Sequence, residues 1–176
     1  MKYLLVGETP NKSCVGEPRL WLLPDKKNKS CAASRLLEAS GLTLREYLRA
    51  FDRTNLAKGL PPRAGKGRKF PMATARKAAR RILLDDRRPG IVVLGKRAAR
   101  AFGLTDPRWF EWTDALGQRV VVIPHPSGVN RYYNDEENRA LTRRFFEELV
   151  SGHDRRDSRT VGRNKERRGP RPALIV

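Results

Sequence analysis

Two short loops carry the residues best suited to chemistry. Gly7-Glu8-Thr9-Pro10-Asn11 presents a carboxylate, a hydrogen-bond acceptor, and His125-Pro126-Ser127-Gly128-Val129-Asn130 presents an imidazole, which can donate a hydrogen bond or a proton near neutral pH. The second loop is stiff. Pro124, Pro126 and Gly128 cannot continue a β-ladder, so His125 is held where a strand stops. In open α/β sheets the crevice beyond the carboxyl ends of the strands is where ligands bind.

The elements that position these loops follow from the hydrophobic pattern. Val120-Val121-Val122-Ile123 is a run of β-branched residues with no polar alternation, the signature of a strand buried on both faces. Tyr3 to Val6 is a second such strand and runs into Glu8; Ile91 to Leu94 is a third, introduced by Pro89-Gly90. Between them the chain reads as helical. Ser30 predicts a cap for a helix through about Ala39 that Gly41 closes, and Thr43 with Glu46 forms a capping box for Leu44 to about Ala50. Phe51 to Leu56 reads as a weak strand. Thr74 predicts the start of a helix reaching about Asp86, with Ala75, Ala78, Ala79, Ile82 and Leu83 as its apolar stripe. Gly95 opens a helix from Lys96 to Phe102, while Trp109, Phe110 and Trp112 belong to a loop or edge strand. Asn134 predicts the cap of a last helix, with Leu141, Phe145, Phe146 and Leu149 facing inward. Short buried strands separated by helices predict a three-layer α/β/α sandwich with a short, largely parallel central sheet. Its two special loops could then converge on one edge.

Charge bounds the partner. The 176 residues carry a formal charge of +19, an excess that implies a polyanion, and nucleic acid comes first because each neutralised phosphate releases counterions. From Leu56 to Arg81 there are nine basic residues and no acidic one, which points to phosphate contact rather than a solvated face. Residues 1–150 are expected to form one α/β domain and 151–176 a basic, flexible tail, since periodicity fails after Gly152. No apolar run approaches the roughly 20 residues needed to span a bilayer, and the first residues do not read as a signal peptide. The chain is therefore expected in the cytoplasm, associated with the nucleoid, as a monomer. Cys14 and Cys31 are too few for a disulfide scaffold, a four-thiolate zinc site or an iron–sulfur cluster.

Taken together, the two motifs and their order resemble the uracil-DNA glycosylase superfamily. Gly7 to Asn11 is similar to its first motif, closest to the Gly-Glu-small-Pro form of the iron–sulfur branch, and His125 to Asn130 to its second. Leu36-Leu37-Glu38-Ala39-Ser40-Gly41-Leu42, then Thr54-Asn55-Leu56, resemble that branch's helix and the strand with its base-reading asparagine. Ile91-Val92-Val93-Leu94-Gly95 matches its third strand. With two cysteines instead of four, the branch's cluster is absent, and neither metal nor other cofactor is expected.

The resemblance implies a DNA glycosylase. Breaking an N-glycosidic bond leaves positive charge on the sugar and negative charge on the base, so the site needs an acceptor beside the first and donors beside the second. By the resemblance, Glu8 would orient or deprotonate water and stabilise the oxocarbenium-like sugar, and His125 would hydrogen-bond the pyrimidine O2. Asn55 would read the base edge. Trp21, with Phe51 second, would stack on the extruded base. Val129 would fill the gap left in the duplex, and Ser127 and Gly128, with Asn130, Arg131, Lys66, Arg68 and Lys69, would contact DNA. Asn11 stands where the uracil-specific branch has a tyrosine that blocks the 5-substituent, so the pocket is expected to admit bases larger than uracil, such as the 5-modified pyrimidines of phage DNA. Glu8 and His125 are expected to face each other across a cavity just wide enough for one nucleobase. A non-catalytic base-sensing protein on the same fold and a nucleotide or nucleoside hydrolase are the alternatives.

Overall fold

The computed structural model describes residues 2–25, 28–29, 31–64 and 67–163, without the side chains of 13, 63–64, 67–68 and 153–163. Its centre is a five-stranded sheet in the order β2-β1-β5-β7-β6, formed by β1 (Tyr3–Gly7), β2 (Phe51–Asn55), β5 (Ile91–Leu94), β6 (Trp112–Ala115) and β7 (Gln118–Ile123). The first four in that order are mutually parallel. Only β6 runs antiparallel, joined to β7 by Leu116-Gly117, both with positive φ. A separate two-stranded ribbon pairs β3 (Arg63–Ala64) with β4 (Gly67–Arg68).

The helices complete the layers. On one face α3 (Met72–Asp85) and α4 (Lys96–Ala101) pack Ala75, Ala79, Leu83, Ala98 and Phe102 against Leu4, Val6, Ile91, Val93, Val120 and Val122. On the other, α1 (Ala32–Ser40), α2 (Leu44–Ala50) and α5 (Glu136–Arg163) pack Leu36, Tyr47, Phe145, Phe146 and Leu149 against Leu5, Val92, Leu94, Val121 and Ile123. Alternate residues of each central strand thus serve opposite cores. That is why the strands are continuously apolar, at about 1.5–3 kcal/mol for each side chain fully buried. The three-layer fold is the one the pattern predicts.

Several boundaries differ from the sequence reading, each for a local reason. Ser30 lies outside the described residues, and Cys31 caps α1, its Sγ accepting from the Ser34 amide. α3 begins at Met72 rather than after Thr74, because the Pro71 carbonyl already accepts from the Ala75 amide. α5 is capped by Asp135, whose Oδ1 accepts from the Asn138 amide, since Asn134 is taken into a 3₁₀ turn, Arg131–Asn134. On α5 Leu141 is exposed and Thr142 is buried in its place, bonding back to the Asn138 carbonyl. The helix also continues past the expected domain end at Val150 to Arg163; residues 164–176 lie outside the described ones.

Candidate active site at the carboxyl edge of the sheet

Strand register brings the two special loops to one edge. Gly7 pairs with Asn55, Val6 with Val93 and Leu94 with Ile123, so β2, β1, β5 and β7 all end together. Glu8 leaves β1 there and His125 follows β7 by two residues. With strands about 4.8 Å apart, two spacings separate their backbones by roughly 10 Å, and the exit of β5 lies between. That exit is Gly95, at φ 87, its amide bonded to the Ile123 carbonyl. A Cβ on Gly95 would lie 2.8 Å from the His125 Cβ, so only glycine lets the histidine loop close over the strand end.

Past Gly95, the second residue of α4 reaches into this gap. Arg97 pairs with Glu8 through both nitrogens, Nη2 to Oε2 at 2.9 Å and Nε to Oε1 at 3.3 Å, and its guanidinium lies 5.9 Å over the Phe70 ring. Glu8 is 8% exposed. Burial raises its pKa above the ordinary carboxylate value, and the Arg97 charge and hydrogen bond oppose that rise. For His125, burial and the same Arg97 charge act together and depress the pKa to about 4. One arginine therefore favours an ionised carboxylate and a neutral imidazole. At pH 7 His125 is neutral.

The histidine loop is braced from within. Asn130 Nδ2 donates to the His125 carbonyl at 2.8 Å while its Oδ1 accepts from the Tyr132 amide, and the Tyr133 hydroxyl donates to the Pro124 carbonyl at 2.6 Å. Asn130, expected among the DNA contacts, is half-buried and makes one hydrogen bond to the loop from each of its amide atoms. The loop leaves Gly128, Val129 and Arg131 exposed, Val129 by 91%, with Ser127 half-buried. Arg35 of α1 stands beside Gly128, its Nη1 3.3 Å from where a Cβ would be.

Asn55 ends β2 buried against Gly7, where a Cβ would meet its Oδ1 at 2.3 Å. Neither its Oδ1 nor its Nδ2 has a hydrogen-bond partner among the described residues. It opens on a cavity walled by Thr9, Pro10, Asn11, Trp21 and Leu22. Trp21 is 6% exposed and fixed by its Nε1, which donates to the Cys14 carbonyl at 3.0 Å. The cavity measures about 40 Å³, room for roughly three waters at 10–15 Å³ each. Neither Glu8 nor His125 lines it, and Asn55 and Trp21 also line a second, wider cleft of about 660 Å³ with Thr54, Leu56 and Ala57. Leu22 narrows the smaller of the two: its φ is 51, and its methyls come within 3.1 and 3.3 Å of the position of a Gly7 Cβ, beside Asn55.

Phe51 does not belong to this site. It starts β2, four residues or about 13 Å from Asn55, 1% exposed and packed on Tyr3, Tyr47 and Phe146, so it is core and has no face for a base. Lys69 is exposed beyond the ribbon; the Arg68 side chain is not described and Lys66 lies outside the described residues. Sequence reasoning missed Arg97, Tyr133 and Arg35. Only Arg97 left a signal: after a buried strand and a glycine, the first turn of the next helix must sit at the strand ends.

The residues and the edge on which they meet identify the class. The sequence matches the family model of the Uracil DNA glycosylase superfamily over residues 2–150, and the chain belongs to that superfamily. Its members are typically DNA glycosylases, hydrolases that act on DNA. A search of the curated proteins finds none that matches this chain. No helix among the described residues is long and apolar enough to cross a membrane.

Proposed function

We propose that this protein hydrolyses the N-glycosidic bond of a pyrimidine extruded from DNA and leaves an abasic site. The observation that carries the reading is the opposed electrostatics of Glu8 and His125: a buried carboxylate held toward its ionised form by Arg97, and, two strands away, an imidazole kept neutral by burial and by that same arginine. An ionised Glu8 accepts from the attacking water and stabilises positive charge on the sugar. A neutral His125 offers an N–H to the pyrimidine O2 as negative charge develops there. Because it carries no full charge at rest, its hydrogen bond strengthens most in the transition state.

In this proposal Asn55, both of whose amide atoms lack partners, pairs with the base edge, and Trp21 flanks the ring. Val129, exposed on a braced loop, enters the stack, while Ser127, Gly128, Arg131 and Lys69 meet the backbone, joined by Lys66 and Arg68 of the basic segment. Admission of a base requires Leu22 to leave the cavity. Asn11 at its wall is smaller than tyrosine, which favours a 5-substituted pyrimidine over uracil alone. The test is incubation with oligonucleotides that each hold one modified pyrimidine, followed by alkaline cleavage. Strand scission at the modified position with at least one base is expected, and binding of every duplex without scission would leave a base-sensing protein in its place.

A further inference from the structure

On the inner face of β2, two positions before Asn55, lies Arg53. Strand alternation puts Phe51, Arg53 and Asn55 on one side, and the charge of Arg53 is felt by the Tyr47 phenol, whose hydroxyl donates to the Leu22 carbonyl. Arg53 Nε and Nη1 are buried with no hydrogen-bond partner among the described residues, and the same is true of both Asn55 amide atoms. These two residues supply four of the five such atoms identified; the fifth is Arg139 Nε. Elsewhere the chain meets this need. Arg88, also half-buried, bonds Asp52 and Asp86. Two buried guanidinium nitrogens left without acceptors are unfavourable for folding, so their retention beside an equally unpartnered amide calls for a partner that arrives from outside.

We infer that Arg53 is a base-specificity residue, and that the site takes a 4-keto pyrimidine whose 5-substituent carries oxygen, a carboxylate best of all. The inference rests on the glycosylase reading for the direction of entry. A base coming in over the carboxyl edge has its N1 at the mouth, tied to the sugar, and its C4–C5 side innermost. Asn55 meets the ring first, and Arg53, about 6.6 Å further in, meets what projects beyond it. A guanidinium only donates, so it disfavours an amine and accepts oxygen. Its paired N–H groups fit two adjacent oxygens, the 4-keto group with a 5-substituent or the two of a carboxylate. Leu22, in the left-handed conformation that a branched residue rarely adopts, stands beside Asn55 and has to yield to the incoming base.

The experiment measures binding apart from cleavage. Duplexes carrying 5-carboxyuracil or thymine on a 2′-fluoroarabinose, which resists glycosidic hydrolysis, are titrated by fluorescence anisotropy against the full chain and against Arg53→Met and Arg53→Lys. The unaltered protein is expected to bind the 5-carboxyuracil duplex at least tenfold more tightly. Arg53→Met should equalise the two without lowering Tm, and Arg53→Lys should keep part of the preference. Equal binding of both duplexes by the unaltered protein would overturn the inference, as would a marked fall in Tm for Arg53→Met, which would mean that the guanidinium has structural partners. The same duplexes on ordinary deoxyribose separate the two claims: base release without preference retains the glycosylase and removes the role of Arg53, whereas preference without release does the reverse.

Discussion

The two halves of the site differ in how their polar groups are met. Around Glu8 and His125 the carboxylate and the loop backbone have partners: Arg97 grips the carboxylate, Asn130 and Tyr133 hold the carbonyls of the histidine loop, and Gly95 lets the loop sit down on the strand end. Around Asn55 and Arg53 the polar atoms are buried and unmet, the cavity is small, and a leucine occupies it with a positive φ. A preorganised half suits groups that must act on a transition state without rearranging. An unmet half suits groups whose partners come with the ligand, at a cost in stability borne by the rest of the fold.

That contrast can be broken by substitution. The largest loss is expected on the preorganised side: His125→Ala should slow single-turnover base release about 10²–10³-fold, as removal of a donor to a developing oxyanion does elsewhere. Gly95→Ala should approach the same loss while keeping the histidine, because its Cβ would lie 2.8 Å from that of His125. An unaltered rate in the alanine variant would show that the loop is not held by close approach.

Arg97→Met sharpens the electrostatic half of the comparison. Arg97 lowers the pKa of both Glu8 and His125, so its loss raises both. Glu8 then ionises only at higher pH, and His125 protonates more readily as pH falls. The variant should therefore lose roughly tenfold in rate for each unit by which the Glu8 pKa rises, at pH values below that pKa, and should recover toward pH 8. A uniform loss across pH would mean that Arg97 acts by position and not by charge.

The smallest effect belongs to the unmet side. Leu22→Ala keeps the Cβ at φ 51 but removes the side chain that narrows the cavity. It should tighten binding to a duplex with an extrudable base by a few-fold, because less side chain has to be displaced, with little change in the chemical step. Weaker binding, read by the same anisotropy titration, would mean that Leu22 is part of the wall that grips the base.

Much of this arrangement was legible in the sequence, and the reasons are specific. Ile91 to Leu94 and Val120 to Ile123 read as central strands because both faces are buried, and Thr43 with Glu46 read as a capping box because both reciprocal bonds are local. Glu8 and His125 stood out because prolines and glycines isolate them. For Arg97 only its place in the first turn after Gly95 was legible; its pairing was not, since its partner lies 89 residues away and no local pattern records such a pair. Phe51 and Trp21 could not be told apart by type; Trp21 reaches the cavity from a loop, while Phe51 lies at the far end of a strand whose near end is Asn55. The closed state of the cavity was equally hidden. Leu22 contributes to it, and leucine is a residue type that gives no warning of a positive φ.

The most direct test of the central claim, an ionised carboxylate opposed to a neutral imidazole, is the pH dependence of single-turnover base release on whichever oligonucleotide the panel selects. The rate should rise once, with a midpoint above the ordinary glutamate value of 4.5 because burial raises the pKa of Glu8, and then stay level to pH 8, since His125, with a pKa of about 4, is neutral throughout. A rate that falls as pH rises through about 6.5, where an unperturbed histidine loses its proton, would mean that the imidazole must be charged to act, and would contradict the account.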